Sequence, residues 1–406
     1  MEKLPSIETL QLNIQECDVK LNAVIDLTNA INSNQPLNGM AEILSNYLLA
    51  DLGVVFFAFK IYEDGGWTVG FNSHPTIELP EITNHFNEVV SIGHFSHIAD
   101  HQYIIPVFYN QDIYAYCFVD FRQDIGDAFL LGRLNFLQNI LNIMVVAIEN
   151  EKLMAYRLRQ EAIRKEIEIA RQVQTMLFPK NLPKTSILEV NATYIPHMSV
   201  SGDYYDYIRI DDDRFMLCIA DVSGKGMSAA LLMSNFQATL RTLVMQQLPL
   251  EEIIEQLNTI LCQNSNLERF ITAFICICDT TQQKIQYVNS GHNPPALIRN
   301  QGELVYLTKG TTVLGVFPEL PFVNSEIVAM AKETLFVGFT DGLTETENGA
   351  GEEYSPERLY DLIALNAPLP LEELHNKIHE EMIQFSQGSG FKDDITILSC
   401  RVQFIA

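Results

Sequence analysis

Basic residues are scarce. The 406-residue chain has 26 Lys and Arg against 51 Asp and Glu, a net charge of −25. Sequence-independent nucleic-acid binding, which runs on Lys/Arg contacts to phosphate, is excluded as a reading, and attraction to an anionic membrane surface equally so. Cysteine is sparse: seven, an odd number, at positions 17, 117, 218, 262, 276, 278 and 400, with no CxxC pair. Neither a zinc site nor a disulfide framework is expected. Most of these cysteines lie in apolar runs such as Phe215–Ala220 and Phe274–Cys278, where a reduced thiol acts as a small hydrophobe. No stretch approaches the ~18 uninterrupted apolar residues of a transmembrane helix. The first ten residues lack a basic segment followed by an apolar one, so no secretory signal is expected. Internal repeats and low-complexity segments are missing too. What is present is apolar side chain, 47% of residues against 19% charged. That supports packed cores and excludes disorder as the dominant state. At roughly 100–200 residues per domain, two or three domains are expected, in a soluble, acidic, cytoplasmic protein.

Residues 8–31 and Leu37–Leu49 carry apolar side chains at helical spacing. The period then changes. Val54–Ile61 reads as a strand followed by a glycine turn; Tyr103–Tyr109 and Ile113–Phe121 read as strand, turn, strand. Helices followed by antiparallel strands indicate an α+β domain over 1–150. Between Phe129 and Phe178 there is no Pro and only one Gly, Gly132. Apolar residues there step by three and four through Leu134, Leu137, Leu141, Met144 and Ile148, then Leu153, Tyr156, Ile163, Ile167, Ala170 and Leu177. The five-residue step from Ile148 to Leu153 breaks the heptad once. One long helix, or two stacked, would close the first domain and continue over 151–185 as a coiled-coil-like, dimerising connector, stopped by Pro179 and Pro183. The alternative is a long surface helix lying on the second domain. From 186 to 406 strands predominate, with inserted helices expected at Ser228–Gln247, Leu250–Asn264, Pro356–Ala364 and Leu371–Phe385: a second α+β domain.

In that second domain, acidic residues sit at the ends of apolar strands or beside glycine turns. Asp203 follows Gly202, with Asp206 three residues on. Asp221 ends the strand Phe215–Ala220 and opens Asp221-Val222-Ser223-Gly224-Lys225-Gly226. Asp341 precedes Gly342, and Asp393 and Asp394 precede the strand Ile395–Val402. Loops at strand ends are where functional groups collect. A single Asp-Gly or Gly-Asp is ordinarily a turn; the signal lies in the combination. Several Asp converging without His or Cys would make a hard oxygen site suited to Mg²⁺ or Mn²⁺ rather than Zn²⁺. His292, in Ser290-Gly291-His292-Asn293-Pro294-Pro295, is read as a loop histidine hydrogen-bonded to backbone, with general acid as the competing role. His94, His97 and His101 are read as a solvated turn region rather than a metal site.

Over 165–403 the chain resembles the metal-dependent Ser/Thr protein phosphatases (PPM, protein phosphatase 2C-like) of the SpoIIE/RsbU subgroup. The matching segments are Glu168–Gln174 with Leu177-Phe178-Pro179, Ser201–Asp206, Ala220–Gly226 with Ala229-Ala230, Asn289–Pro295, Gly315-Val316, Thr340–Glu345 and Lys392–Thr396. One departure is visible: Ser201 stands where the subgroup usually has glycine. The resemblance implies a PPM-type α/β sandwich of two antiparallel sheets flanked by helices, and two bound ions, Mn²⁺ or Mg²⁺. Asp221 would bridge them and the Val222 carbonyl would add a ligand. Asp203 would hold one ion, Asp341 and Asp393 the other, with Asp394 ranked below Asp393 and Asp206 outside the set. It further implies in-line attack by water on a phosphoserine or phosphothreonine ester, with no phosphoenzyme. The chain has no C-x5-R segment, so a cysteine-dependent phosphatase does not compete. The usual substrate in the subgroup is a phosphorylated anti-sigma-factor antagonist of the STAS type.

Residues 1–150 resemble, more softly, a GAF-type sensor, with a PAS-type sensor as competitor; an unknown small ligand is implied. Cys117, inside a strand run, is expected in the core rather than as a chromophore attachment. The alternative functions are a catalytically weak phosphatase-fold scaffold, against which the intact aspartates speak, and a ligand-sensing partner-binding protein.

Overall fold

The computed structural model describes residues 7–404 apart from 64, 83–95, 100–101, 111, 124–126, 266–267, 301 and 389. The chain divides into two compact units, 1–162 and 163–406. The first begins with α1 (Ile7–Asn32) and α2 (Leu37–Ala50). Strands β1 (Val54–Glu63), β2 (Gly66–Asn72), β3 (Ser96–Ala99), β4 (Gln102–Tyr109) and β5 (Asp112–Phe121) follow, then the 49-residue α3 (Asp127–Thr175). The strands form one antiparallel sheet in the order β2-β1-β5-β4-β3. Its helix-facing side buries alternate residues, Phe57, Phe59 and Ile61 on β1 and Ala115, Cys117 and Val119 on β5, against Leu44, Leu48, Leu134, Leu137 and Leu141. The period of two in these strands and the steps of three and four in α3 are what let one core serve both. Cys117 is in that core, as its strand run predicts. The strands β2 and β3 were not anticipated. In β2 the missing side chain of Gly70 admits the Phe59 ring, which an added Cβ would meet at 2.5 Å.

The helix α3 is one continuous element; the heptad break at Ile148–Leu153 shifts the apolar stripe without interrupting the backbone ladder. An 18-residue window within Phe129–Thr175 has a mean hydropathy of 1.4 and by length and composition could cross a bilayer. In the fold Leu134, Leu137, Leu141 and Met144 of that stretch are buried in the first core. Residues 151–166 are exposed on every face.

The second unit continues with β6 (Leu188–Ile195), β7 (Tyr204–Arg209), β8 (Arg214–Val222), α4 (Met227–Met245), α5 (Leu250–Ser265), β9 (Ile271–Asp279), β10 (Lys284–Ser290), β11 (Ala296–Arg299) and β12 (Glu303–Tyr306). It closes with β13 (Gly310–Thr311), β14 (Glu326–Ala329), β15 (Glu333–Phe339), α6 (Asp341–Thr344), α7 (Pro356–Asn366), α8 (Leu371–Ser386) and β16 (Ile395–Gln403). One sheet runs β13-β10-β9-β8-β7 with β14 also on β10; the other runs β12-β11-β15-β16-β6. Their inner faces pack through Leu217, Ile219, Phe274 and Tyr287 against Leu297, Phe336, Leu398 and Cys400. The first sheet's outer face is covered by α4 and α5 through Met233, Phe236, Leu240, Ile254 and Leu257. The second is covered by α7 and α8 through Leu359, Ile363, Leu374 and Ile378. The expectation of two antiparallel sheets needs one correction: β10 and β13 pair in parallel over Asn289–Gly310 and Ser290–Thr311. The strand β7 was not anticipated. It is a strand because Tyr204, Asp206 and Ile208 alternate inward, and inward Asp206 is neutralised by Arg241 from α4, at 2.8 Å to each oxygen.

Candidate active site

Each aspartate owes its place to a strand. Asp203 immediately precedes β7, and Asp221 lies next to the end of β8, both in the first sheet. Asp341 follows β15 and opens α6; Asp393 and Asp394 immediately precede β16, both in the second sheet. The two sheets are stitched together at this end of the sandwich. Thr340, ahead of Asp341, and Thr396, in β16, donate their hydroxyls to the same Asp203 Oδ2 at 2.8 and 2.5 Å. The Thr396 amide in turn donates to Thr340 Oγ1 at 2.9 Å. Two glycines permit the close approach. A Cβ on Gly202 would stand 2.7 Å from the Val222 carbonyl oxygen and 3.3 Å from Asp221 Oδ1. A Cβ on Gly342 would stand 2.0 Å from the Asp394 carbonyl oxygen. In the loop after Asp221, Gly224 and Gly226 take positive φ, +88° and +79°, which releases the chain into α4.

Crowding shows in the electrostatics. Asp203 is 1% exposed; burial first, then Asp221, pushes its carboxyl well above the usual range, opposed by the two threonine hydroxyls. Burial, then Asp341 and Asp393, pushes Asp221 up to about 7. Asp341 is raised by burial and then by Asp393. Carboxylates that resist ionisation because they repel each other in a half-dry site are stabilised by cations. One cation of the chain already answers: Lys225 Nζ stands 2.7 Å from Asp393 Oδ2 and donates to the Lys392 carbonyl at 2.9 Å. Among the described residues no three acidic, histidine or cysteine side chains close on one point at metal-ligand spacing. The donor set of hard oxygens with unbalanced charge nevertheless fits a divalent ion of the Mg²⁺ or Mn²⁺ kind.

Asp203, Asp221, Asp341 and Asp393 thus lie at the same end of the sandwich, with the Val222 carbonyl beside Gly202. Asp394 is buried and engaged, its Oδ1 accepting the His197 amide at 2.7 Å. Asp206 stands apart in its pair with Arg241. His292 is buried, 6% exposed, and faces Thr272 Oγ1 with Nδ1 at 2.9 Å, while the Phe339 backbone also acts on the ring. Burial lowers its pKa to about 4, so at neutral pH the ring holds no extra proton to give. His94 and His101, and the side chain of His97, lie outside the described residues. Missed from the sequence were Thr340, Thr396, Ser201 and Gln174. Ser201 Oγ accepts the Asp203 amide at 3.0 Å, so the residue that departs from the glycine pattern adds a bond to the loop.

Comparison with known proteins gives this arrangement a context. The family pattern described as "Stage II sporulation protein E (SpoIIE)" matches residues 211–403. The phosphoserine phosphatase RsbU of Bacillus subtilis is 30% identical over 245 residues, 60% of this chain and 71% of RsbU. The chain belongs to the SpoIIE family of PP2C-type Ser/Thr protein phosphatases. Protein IcfG of Synechocystis sp. is 27% identical over 274 residues, 61% of this chain but 43% of IcfG, so the similarity spans less than half of that relative. The SiaA-PP2C domain of Pseudomonas aeruginosa, at 20% identity, aligns over 61% of this chain and 99% of that domain with a TM-score of 0.53. The second unit of this SpoIIE-family protein therefore has the PP2C fold.

Proposed function

We propose that this SpoIIE-family protein hydrolyses phosphoserine or phosphothreonine on a regulatory protein of the STAS type, in partner-switching signalling, under the control of its N-terminal unit. The observation that carries this is the crowding of four carboxylates from two sheets at one end of the sandwich. There burial, and then the charges of Asp341 and Asp393, push Asp221 up to about 7, a strain that a purely structural turn cluster does not need. Two ions, Mn²⁺ or Mg²⁺, held by Asp203, Asp221, Asp341 and Asp393 with the Val222 carbonyl and with Asp394 beside them, would supply the positive charge that phosphoryl transfer to water requires. The chain's own groups orient the site. Thr340 and Thr396 occupy Asp203 Oδ2 and so fix which way its other oxygen faces. Gly202 and Gly342 let backbone carbonyls approach. Lys225, half exposed, offers a cation at the Asp393 side that can meet a phosphate. Neutral His292 holds Thr272, the residue paired across the sheet with Asp221. Burial pushes the Cys218 and Cys400 thiols up, so neither is a nucleophile.

A GAF-like sensory role for the first unit is supported by a cavity of about 260 Å³ lined by Phe56, Leu79, Pro80, Tyr103 and Phe118, sized for a small ligand. A homodimer through the connector is supported by Leu153, Tyr156 and Ile163 of the apolar stripe, exposed on α3; Ile167, Ala170 and Leu177, further along the stripe, are half-buried. The test of the activity is phosphate release from a phosphorylated STAS-domain protein by the full chain, with Mn²⁺ and with EDTA. Release that needs Mn²⁺ and disappears in Asp221→Asn supports the proposal; release unchanged by EDTA or by that substitution refutes it.

A further inference from the structure

The last turn of α3 reaches the Asp203 loop through one side chain. Gln174 is 4% exposed and its amide is used at both ends. Its Nε2 donates to the Ser201 carbonyl at 2.7 Å, and its Oε1 accepts the Ser201 amide at 3.2 Å. A primary amide bonded to both polar groups of one residue acts as a strand neighbour would: it fixes position and orientation of that backbone together. Ser201 is fully buried, and it passes the constraint on, its Oγ accepting the Asp203 amide at 3.0 Å. Between them Gly202 lies flush on the Val222 carbonyl, with no room for even a methyl group. The helix end is itself registered by Phe178, whose ring packs 4.8 Å from that of Tyr194 and 4.9 Å from that of Tyr205. A displacement of the last helical turn therefore cannot leave Ser201, Gly202 and Asp203 where they are.

We infer that Gln174 is a positioning residue through which the connector helix sets the Asp203 carboxylate and the Val222 carbonyl of the phosphatase site. The inference rests on the reading of Asp203 as a group of that site. A helix staple of merely structural use predicts a different outcome: Gln174 would contribute to stability and leave the metal affinity alone. Groups that orient a ligand from behind typically change metal affinity 10–100-fold when removed.

The experiment titrates Mn²⁺ into the metal-free full chain by calorimetry and records thermal unfolding in EDTA, for wild type, Gln174→Leu, Ser201→Ala and Asp203→Asn. Gln174→Leu is expected to bind Mn²⁺ roughly ten-fold more weakly, with turnover returning toward wild type at saturating Mn²⁺, because the ligand is displaced rather than removed. Ser201→Ala, which deletes one hydroxyl and keeps the test open should the leucine variant fail to fold, is expected to shift affinity the same way. Wild-type affinity in both, whatever their melting temperatures, overturns the inference while Asp203→Asn still binds weakly. Wild-type affinity in Asp203→Asn removes Asp203 from the site and the inference with it.

Discussion

Replacing Asp221 by asparagine should destroy metal binding and, in the metal-free protein, raise stability. A carboxyl with a pKa near 3.8 in the unfolded chain and about 7 in the folded one is penalised on folding once ionised. The shift of about three units corresponds to an upper bound of about 4 kcal/mol at 1.36 kcal/mol per unit. Part of that repulsion belongs jointly to Asp341, Asp393 and Asp394, so about 2 kcal/mol is the expected gain. Asparagine keeps the shape and drops the charge. The sign follows from the direction of the shift. Well below pH 4 both states are protonated and the substitution changes little. The penalty on the wild type grows as pH rises from 4 and is complete above 7. In EDTA at pH 8 the Asn variant should melt about 4–8 °C higher, and the gap should narrow toward pH 5. With Mn²⁺ added, the wild type should gain stability by mass action and the variant should not. An Asn variant that melts lower than wild type in EDTA at pH 8, or a gap that does not change with pH, would refute the reasoning that Asp221 is held against its neighbours.

Arg241→Leu leaves Asp206, fully buried, without its cation; with Arg241 itself 40% exposed the loss should be about 2 kcal/mol by urea unfolding. Gly342→Ala forces a methyl against the Asp394 carbonyl and should destabilise by roughly 1–3 kcal/mol while weakening Mn²⁺ binding measured by calorimetry. Tyr156→Asp with Ile163→Asp, both on the exposed stretch of α3, should convert a dimer to a monomer in light scattering and uncouple the first unit from phosphatase activity. A wild-type chain already monomeric at micromolar concentration would remove the coil from the proposal.

Much of the second unit was legible because its strands are short apolar runs bounded by glycine and aspartate. Asp221, Asp341 and Asp393 each stand at such a boundary. What orients them was not legible. The two hydroxyls on Asp203 come from residues 137 and 193 positions away, and nothing local marks Thr340 or Thr396 beyond lying next to an Asp-Gly and an Asp-Asp pair. The strand β7 was hidden for the same reason: an inward aspartate looks like a turn until its arginine, 35 residues on, is known. Gln174 showed only as the last residue of the matching segment Glu168–Gln174. Its burial depends on Ser201 presenting a free amide and carbonyl at that spot. In α3, periodicity gave the helix, while the heptad break left one long helix and two stacked ones both open. The backbone ladder is indifferent to which face is apolar, and the helix runs through.

The division of the site between the two sheets has an energetic consequence. Neither sheet alone would carry the proposed metal centre: Asp203 and Asp221 stand on one, Asp341, Asp393 and Asp394 on the other. Closing the sandwich brings like charges together, which opposes folding, and the threonine hydroxyls from the second sheet offset part of that by donating to Asp203 Oδ2. Cations would remove most of the remainder. Metal occupancy and the seating of one sheet on the other are therefore linked in sign. Whatever shifts the Ser201–Asp203 loop relative to Thr340 and Thr396 weakens the site for metal, and whatever fills the site draws that loop back against them.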